Sequence, residues 1–69
     1  MTNSTLTKLY NNIRKYRLER KLSQSKLSEL IDVSVDYVYL IENGKRTPSL
    51  KRLLMIAEVL EIEAYKLLM

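Results

Sequence analysis

An all-α fold of short, tightly connected helices is what this chain predicts, and three observations predict it. Its 69 residues include one Gly and one Pro, so helix breakers are scarce, while Leu, Ile, Lys and Glu are plentiful. Apolar residues recur at helical spacing along the chain. The central stretch from Gln24 to Glu42, QSKLSELIDVSVDYVYLIE, divides into two short helical periods around a tight turn. A length of 69 residues corresponds to one domain, residues 1–69, with a core so small that every large apolar side chain matters.

Taken in order, Met1 to Thr5 is a polar start without periodicity and is expected to fray. A first helix is predicted from about Leu6 to Lys21, with Leu9, Ile13, Tyr16 and either Leu22 or Arg20 along one stripe. Its other faces carry Lys8, Arg14, Lys15, Arg17, Arg20 and Lys21, most of which read as a solvated face. Ser23 is the expected N-cap of the second helix, although Lys26 stands where the acid of a capping box would be. Leu27, Leu30 and Ile31 set that helix, and Ile31-Asp32-Val33-Ser34 reverses the chain. Asp32 occupies the turn position that asks for a positive φ, which Asp tolerates better than most side chains.

Ser34 should cap a third helix running to about Asn43, set by Val38 and Ile41. Gly44 fits the left-handed position that closes it. Pro48 suits the entry to a fourth helix, capped by Thr47 or Ser49. That helix is predicted over Leu50–Leu60, with Leu50, Leu53, Leu54, Ala57 and Leu60 on the core stripe and Met55 and Val59 off it. Glu61 ends it, and a short fifth helix from about Ile62 or Glu63 to Leu68 follows.

Composition narrows the function. With no Cys and no His, the chain lacks a disulfide, a thiolate metal site and the usual catalytic bases, so no metal and no cofactor is expected. A single Gly removes a phosphate-cradling loop or a dinucleotide fingerprint. No apolar run approaches membrane-spanning length and no signal-peptide pattern precedes the helices, which makes the cytoplasm the default location. Net charge is +4, unevenly spread: residues 1–52 hold 11 of the 12 Lys and Arg against 5 acids, whereas residues 53–69 hold Lys66 against Glu58, Glu61 and Glu63. A basic body with a mildly acidic end fits a phosphate-facing domain with a separate association surface.

Two helices joined by so short a turn, the second with a polar N-terminal end, form the DNA-reading helix-turn-helix unit. The pieces LSQSKLSELIDVS, YVYLIENGKRTPSL and LLMIAEVLEI resemble, at the expected spacings, the lambda-repressor-like regulators, a family of phage repressors, Cro proteins and restriction-modification controllers. The resemblance covers roughly Ile13 to Leu68 and implies a compact five-helix fold in which helices 2 and 3 make the helix-turn-helix. Asp32 stands in place of the family's turn Gly, Ser28 of its small Ala and Glu61 of a Gly.

The resemblance also implies site residues. Arg17 would pair with Glu42 and tie helix 1 to the reading helix. Ser23 and Gln24, at a helix start with unpaired amides and the positive dipole end, would hold a DNA phosphate. With Val33, Val38 and Ile41 inward and Tyr37 beside them, Ser34, Val35, Asp36, Tyr39 and Leu40 are left facing the groove. That face lacks the Arg, Gln or Asn of bidentate base contacts; Val35 and Leu40 suit a thymine methyl, Asp36 a cytosine amino group, and Tyr39 a base edge or phosphate. Asn43, Lys45, Arg46 and Thr47 are the expected phosphate contacts past the helix, Lys51 and Arg52 extend the basic rim, and a minority of the helix 1 cations reaches phosphate too.

Apolar residues at Met55, Val59, Ile62, Tyr65, Leu68 and Met69 exceed what so small a monomer should expose. The family commonly dimerises through this region, so a homodimer is expected. The function implied is sequence-specific, double-stranded DNA-binding transcription regulation on a pseudo-palindromic operator, with polymerase blocked or positioned by occupancy. A protein-interaction module, such as an antitoxin or a fragment of a larger regulator, is the alternative, motivated by the apolar groove face and C-terminal surface. An enzyme is not expected, because no nucleophile stands beside a base and an orienting group. No small-molecule partner or membrane partner is evident.

Overall fold

The computed structural model describes residues 4–69, and among these the regular structure is helical throughout. Helix α1 spans Ser4–Glu19, α2 Gln24–Leu30, α3 Val35–Glu42 and α4 Leu50–Val59. The fifth helix is corrected to a short 3-10 segment, Ala64–Leu68. Helix α1 begins at Ser4 rather than Leu6, so Ser4 and Thr5 are helical; the rest of the expected frayed start, residues 1–3, lies outside the described residues.

Three helices open in the same way. Ser23, Ser34 and Ser49 each hold an extended backbone, and each hydroxyl oxygen accepts from the amide three residues on: Lys26 at 2.9 Å, Tyr37 at 3.2 Å and Arg52 at 3.2 Å. Of the two candidates for the α4 cap, Ser49 is the one used. Such a cap stabilises a short helix by about 1 kcal/mol relative to Ala, which matters where the helix has few residues to propagate its own hydrogen bonds.

All four helices also close in the same way, with a left-handed residue and paired 6→1 and 5→2 backbone bonds. The closing residues are Lys21, Asp32, Gly44 and Glu61, at φ of 58°, 58°, 70° and 57°. The 6→1 bonds run from the amides of Leu22, Val33, Lys45 and Ile62 to the carbonyls of Arg17, Ser28, Leu40 and Ala57. Thus α1 stops short of Lys21 because Lys21 itself turns the chain. At Gly44 a Cβ would also crowd a neighbour, lying 2.9 Å from the Tyr10 ring, which would have to shift. Lys21, being exposed, is strained without such a neighbour. Lys21→Gly is therefore expected to raise stability by roughly 0.5–1 kcal/mol, net of the extra entropy of an unfolded Gly. A rise of a few degrees in Tm would register it; a fall in Tm would show that no strain is stored there.

The core draws on every element. Ile13, Leu27, Ile31, Val38, Ile41, Ile56, Leu60 and Leu67 are fully buried, with Leu9, Tyr37 and Ala57 nearly so. Two expectations are corrected. Leu30 is 45% exposed, so the apolar seat of α2 is Leu27 and Ile31, with the small Ser28 buried beside them. On α4, Leu50 and Leu54 face solvent; the inward stripe is Leu53, Ile56, Ala57 and Leu60. A Leu-rich helix offers more than one apolar stripe, and the packing of α4 against α2 and the C-terminal segment selects the one that turns inward. Met55, Val59 and Ile62 pack partly against the core, as do Leu22 and Tyr16. Arg20 is not in the stripe: it donates through Nε to the Leu60 carbonyl at 3.0 Å and pairs with Glu61.

Candidate nucleic-acid interface

Helices α2 and α3 pack on one another, and α1 crosses behind α3. An ion pair joins α1 to α3. Arg17 Nε donates to Glu42 Oε2 at 2.6 Å and Arg17 Nη2 to Glu42 Oε1 at 3.0 Å, a fork-on-fork geometry. The side chains are 8% and 1% exposed. Arg17 Nη1 also donates to the Leu22 carbonyl at 2.7 Å, and Gln24 Nε2 donates to Glu42 Oε1 at 3.1 Å. One carboxylate thus gathers α1, the start of α2 and the end of α3. The pair is the one the resemblance implies; the Gln24 amide, expected to face outward, is corrected to an inward position on Glu42, because that carboxylate offers it an acceptor.

The residues expected to face a groove sit on this frame. On α3, Val35 and Tyr39 stand 46% and 49% exposed, one turn apart, and Asp36 is exposed beside them. Ser34 is exposed, but its hydroxyl oxygen is already engaged as the helix cap. Leu40 is half-buried, so it offers an edge rather than a full side chain. Ser23 is likewise occupied as acceptor by the α2 cap. Asn43 Nδ2 donates back to the Tyr39 carbonyl at 2.8 Å, which holds its side chain against the helix end.

Beyond α3 the loop is ordered by aromatic contacts. The Arg46 guanidinium lies over the Tyr37 ring, 4.6 Å from its centroid. The Tyr37 hydroxyl accepts from the Ser49 amide at 3.3 Å, and the Tyr10 hydroxyl meets Thr47 Oγ1 at 3.3 Å. Lys45 projects into solvent. Arg46, Lys51 and Arg52 line a shallow depression of about 520 Å³, and Arg52 reaches the Asp32 carbonyl in the α2–α3 turn at 3.4 Å. On the other flank, a cleft of about 290 Å³ is lined by Arg14, Arg17, Gln24, Tyr39, Glu42 and Asn43. Arg14 was one of six cations on its helix in the sequence, with nothing there to single it out.

At the C-terminal end, Tyr65, Leu68 and Met69 are 59%, 41% and 72% exposed, whereas Met55, Val59 and Ile62 are partly covered. The available apolar surface is therefore the outer side of the 3-10 segment. Leu67, absent from the sequence reading, is the fully buried residue that seats it.

Three comparisons bear on this arrangement. A sequence model of the helix-turn-helix family matches residues 13–67. Among solved structures, the chain is similar to the restriction-modification controller protein C.AhdI from Aeromonas hydrophila, with 34% identity over 94% of this chain and 98% of that one and a TM-score of 0.86. It is similar as well to the hypothetical transcription factor NHTF from Neisseria, at 26% identity over 93% of this chain and 74% of that one, TM-score 0.86. The clp gene regulator ClgR from Corynebacterium glutamicum shares the fold, at 22% identity over 93% and 68% and a TM-score of 0.87. No curated protein sequence matches the chain.

Proposed function

This chain belongs to the lambda-repressor-like helix-turn-helix family of DNA-binding transcription regulators, and from that premise we propose that it reads a pseudo-palindromic operator as a homodimer. Recognition helices of two copies would enter successive major grooves about 34 Å apart. The observation that carries the reading is the presentation of α3: a buried Arg17–Glu42 pair sets its angle, while Val35, Asp36 and Tyr39 remain exposed.

In this reading Val35 and the edge of Leu40 meet thymine methyl groups, Asp36 accepts from a cytosine amino group, and Tyr39 with Ser34 touches a base edge or the adjoining sugar–phosphate. Lys45, Arg46 and Thr47, with Asn43 and the α2 start at Ser23 and Gln24, hold backbone phosphates. These supply most of the affinity and none of the sequence information. Tyr65, Leu68 and Met69, backed by Met55, Val59 and Ile62, form the seam between copies. Residues 1–69 act as one unit, in the cytoplasm and without catalysis; no described helix is long and apolar enough to cross a membrane. Occupying an operator would block or position RNA polymerase.

The test is selection from a random duplex library at low and moderate salt, with sedimentation of the free protein. A palindromic site recovered by a dimer is expected. Retention that is salt-sensitive but blind to sequence would move specificity to a partner, and a monomer at all accessible concentrations would remove the proposed seam.

A further inference from the structure

We propose that Arg14 is a phosphate clamp, taking a phosphodiester of the bound duplex at the mouth of the cleft between α1, α2 and α3. The proposal rests on the DNA-binding reading and adds to it a residue from a helix outside the helix-turn-helix.

The six cations of α1 and its closing turn divide by what they touch. Arg17 is consumed by Glu42 and the Leu22 carbonyl. Arg20 is consumed by the Leu60 carbonyl and Glu61. Lys15 lies 5.3 Å from the Tyr16 ring centroid, beside Asn12 and Tyr65 on the flank away from α3. Lys8 and Lys21 line neither of the clefts beside α3. Arg14 alone lines both: the 290 Å³ cleft with Gln24, Tyr39 and Asn43, and a second depression of about 520 Å³ that runs past Asn11 to Gly44. Among the described residues it pairs with no carboxylate.

The charge of the cleft follows. Both oxygens of Glu42 are taken up, by Arg17 Nε, Arg17 Nη2 and Gln24 Nε2, so the one acid in the wall is compensated by the one buried cation. Arg14 is left as an uncompensated positive charge facing Tyr39 of the reading helix across the cleft. A planar guanidinium with paired N–H donors matches the geometry of a phosphate group. A phosphodiester fits that place because it carries one negative charge and lies along the rim of any groove that α3 enters. Arg46, Lys51 and Arg52 occupy the opposite flank of α3, so the two clefts would grip the backbones on either side of the groove.

The experiment compares wild type, Arg14→Gln and Arg14→Lys for binding to one duplex between 50 and 200 mM salt, with a scrambled duplex alongside. Each phosphate contact contributes about −0.9 to the log–log slope. Loss of one contact should therefore make the wild-type advantage over Arg14→Gln shrink by about 3.5-fold across that fourfold range of salt. The weakening should be equal on both duplexes, Arg14→Lys should restore the slope, and Tm should not move. An Arg14→Gln slope equal to wild type, or weakening confined to one duplex, would overturn the clamp alone. Wild-type protein with no salt-dependent binding would overturn the clamp and the DNA-binding reading together.

Discussion

Glu42→Ala should lower the stability of this chain by about 3–5 kcal/mol, the cost of leaving a buried cation without its partner. The Arg17 side chain is 8% exposed and would keep only its bond to the Leu22 carbonyl. The Gln24 amide would lose its acceptor at the same time. At roughly 4–8 °C per kcal/mol for a chain of this size, Tm should fall by more than about 12 °C. For a domain whose total stability lies toward the low end of about 5–15 kcal/mol, that brings it close to unfolding at ambient temperature. The pair itself need not be a net source of stability. Arg17→Met combined with Glu42→Leu, which removes both charges and keeps the volume, should recover most of the loss. Thermal unfolding followed by circular dichroism decides the matter. A single-variant loss under about 1 kcal/mol would mean that water reaches the pair and screens it, as at exposed sites. The recovered double variant should still bind duplex poorly, since Gln24 would no longer be held and the angle of α3 would rest on packing alone.

How far residue identity predicts structure differs by the kind of signal. The caps at Ser23, Ser34 and Ser49 were legible because a short hydroxyl before an apolar period has one efficient use. The matching stops were half legible. Asp32, Gly44 and Glu61 drew attention as turn residues, but Lys21 did not, since no property of Lys favours φ of 58°; the pairing of Leu22 with the Arg17 carbonyl imposes it. Leu50 and Leu54 misled for a different reason. Their spacing is as helical as that of Leu53 and Ala57, and only the placement of α4 against the other elements chooses between the two stripes.

In the site, identity gave the residues and packing gave their directions. Arg17 and Glu42 were legible through resemblance alone, because two charges 25 positions apart have no local signature. The position of Gln24 at the start of α2 is legible, but the outward direction expected of its amide is not what packing gives: it turns toward Glu42 at the end of α3. The place of Arg46 after α3 suggests a phosphate contact; its stacking on Tyr37 needs the third dimension. Arg14 illustrates the limit most plainly. Six cations share its helix and its turn, and what distinguishes Arg14 is its place in both clefts beside α3 with no carboxylate partner among the described residues.

Leu67→Ala is the second large expectation, at about 2–5 kcal/mol, because a fully buried Leu is replaced by a side chain that leaves a cavity. Leu67 is the fully buried side chain of the 3-10 segment, which packs on α1 and α4 with Ala64 partly buried beside it. Its opening residue Glu63 makes no side-chain cap, and 3-10 hydrogen bonds are poorer in geometry than α-helical ones. Beyond Leu67, its seat is Asn12, whose Nδ2 donates to the carbonyls of Lys66 at 3.3 Å and Leu67 at 3.0 Å. Loss of the Leu67 side chain should therefore detach the segment from α1 and α4 as well as weaken the core. Tyr65 and Leu68 lie on that segment and Met69 follows it, so under the proposed homodimer association should fail in Leu67→Ala even at temperatures where α1 to α4 remain folded. Leu68→Ala gives the contrast: at 41% exposure it should cost far less in Tm while still weakening association. Sedimentation and thermal unfolding of the two variants separate the roles. If Leu67→Ala lowered Tm by less than about 4 °C, corresponding to under 1 kcal/mol, the segment would be an appendage to the core rather than part of it. If it dimerised normally, the seam would have to lie elsewhere, and among the described residues Leu50 and Leu54 of α4, Leu18 of α1 and Leu30 of α2 are the other exposed large aliphatic side chains off the α3 face.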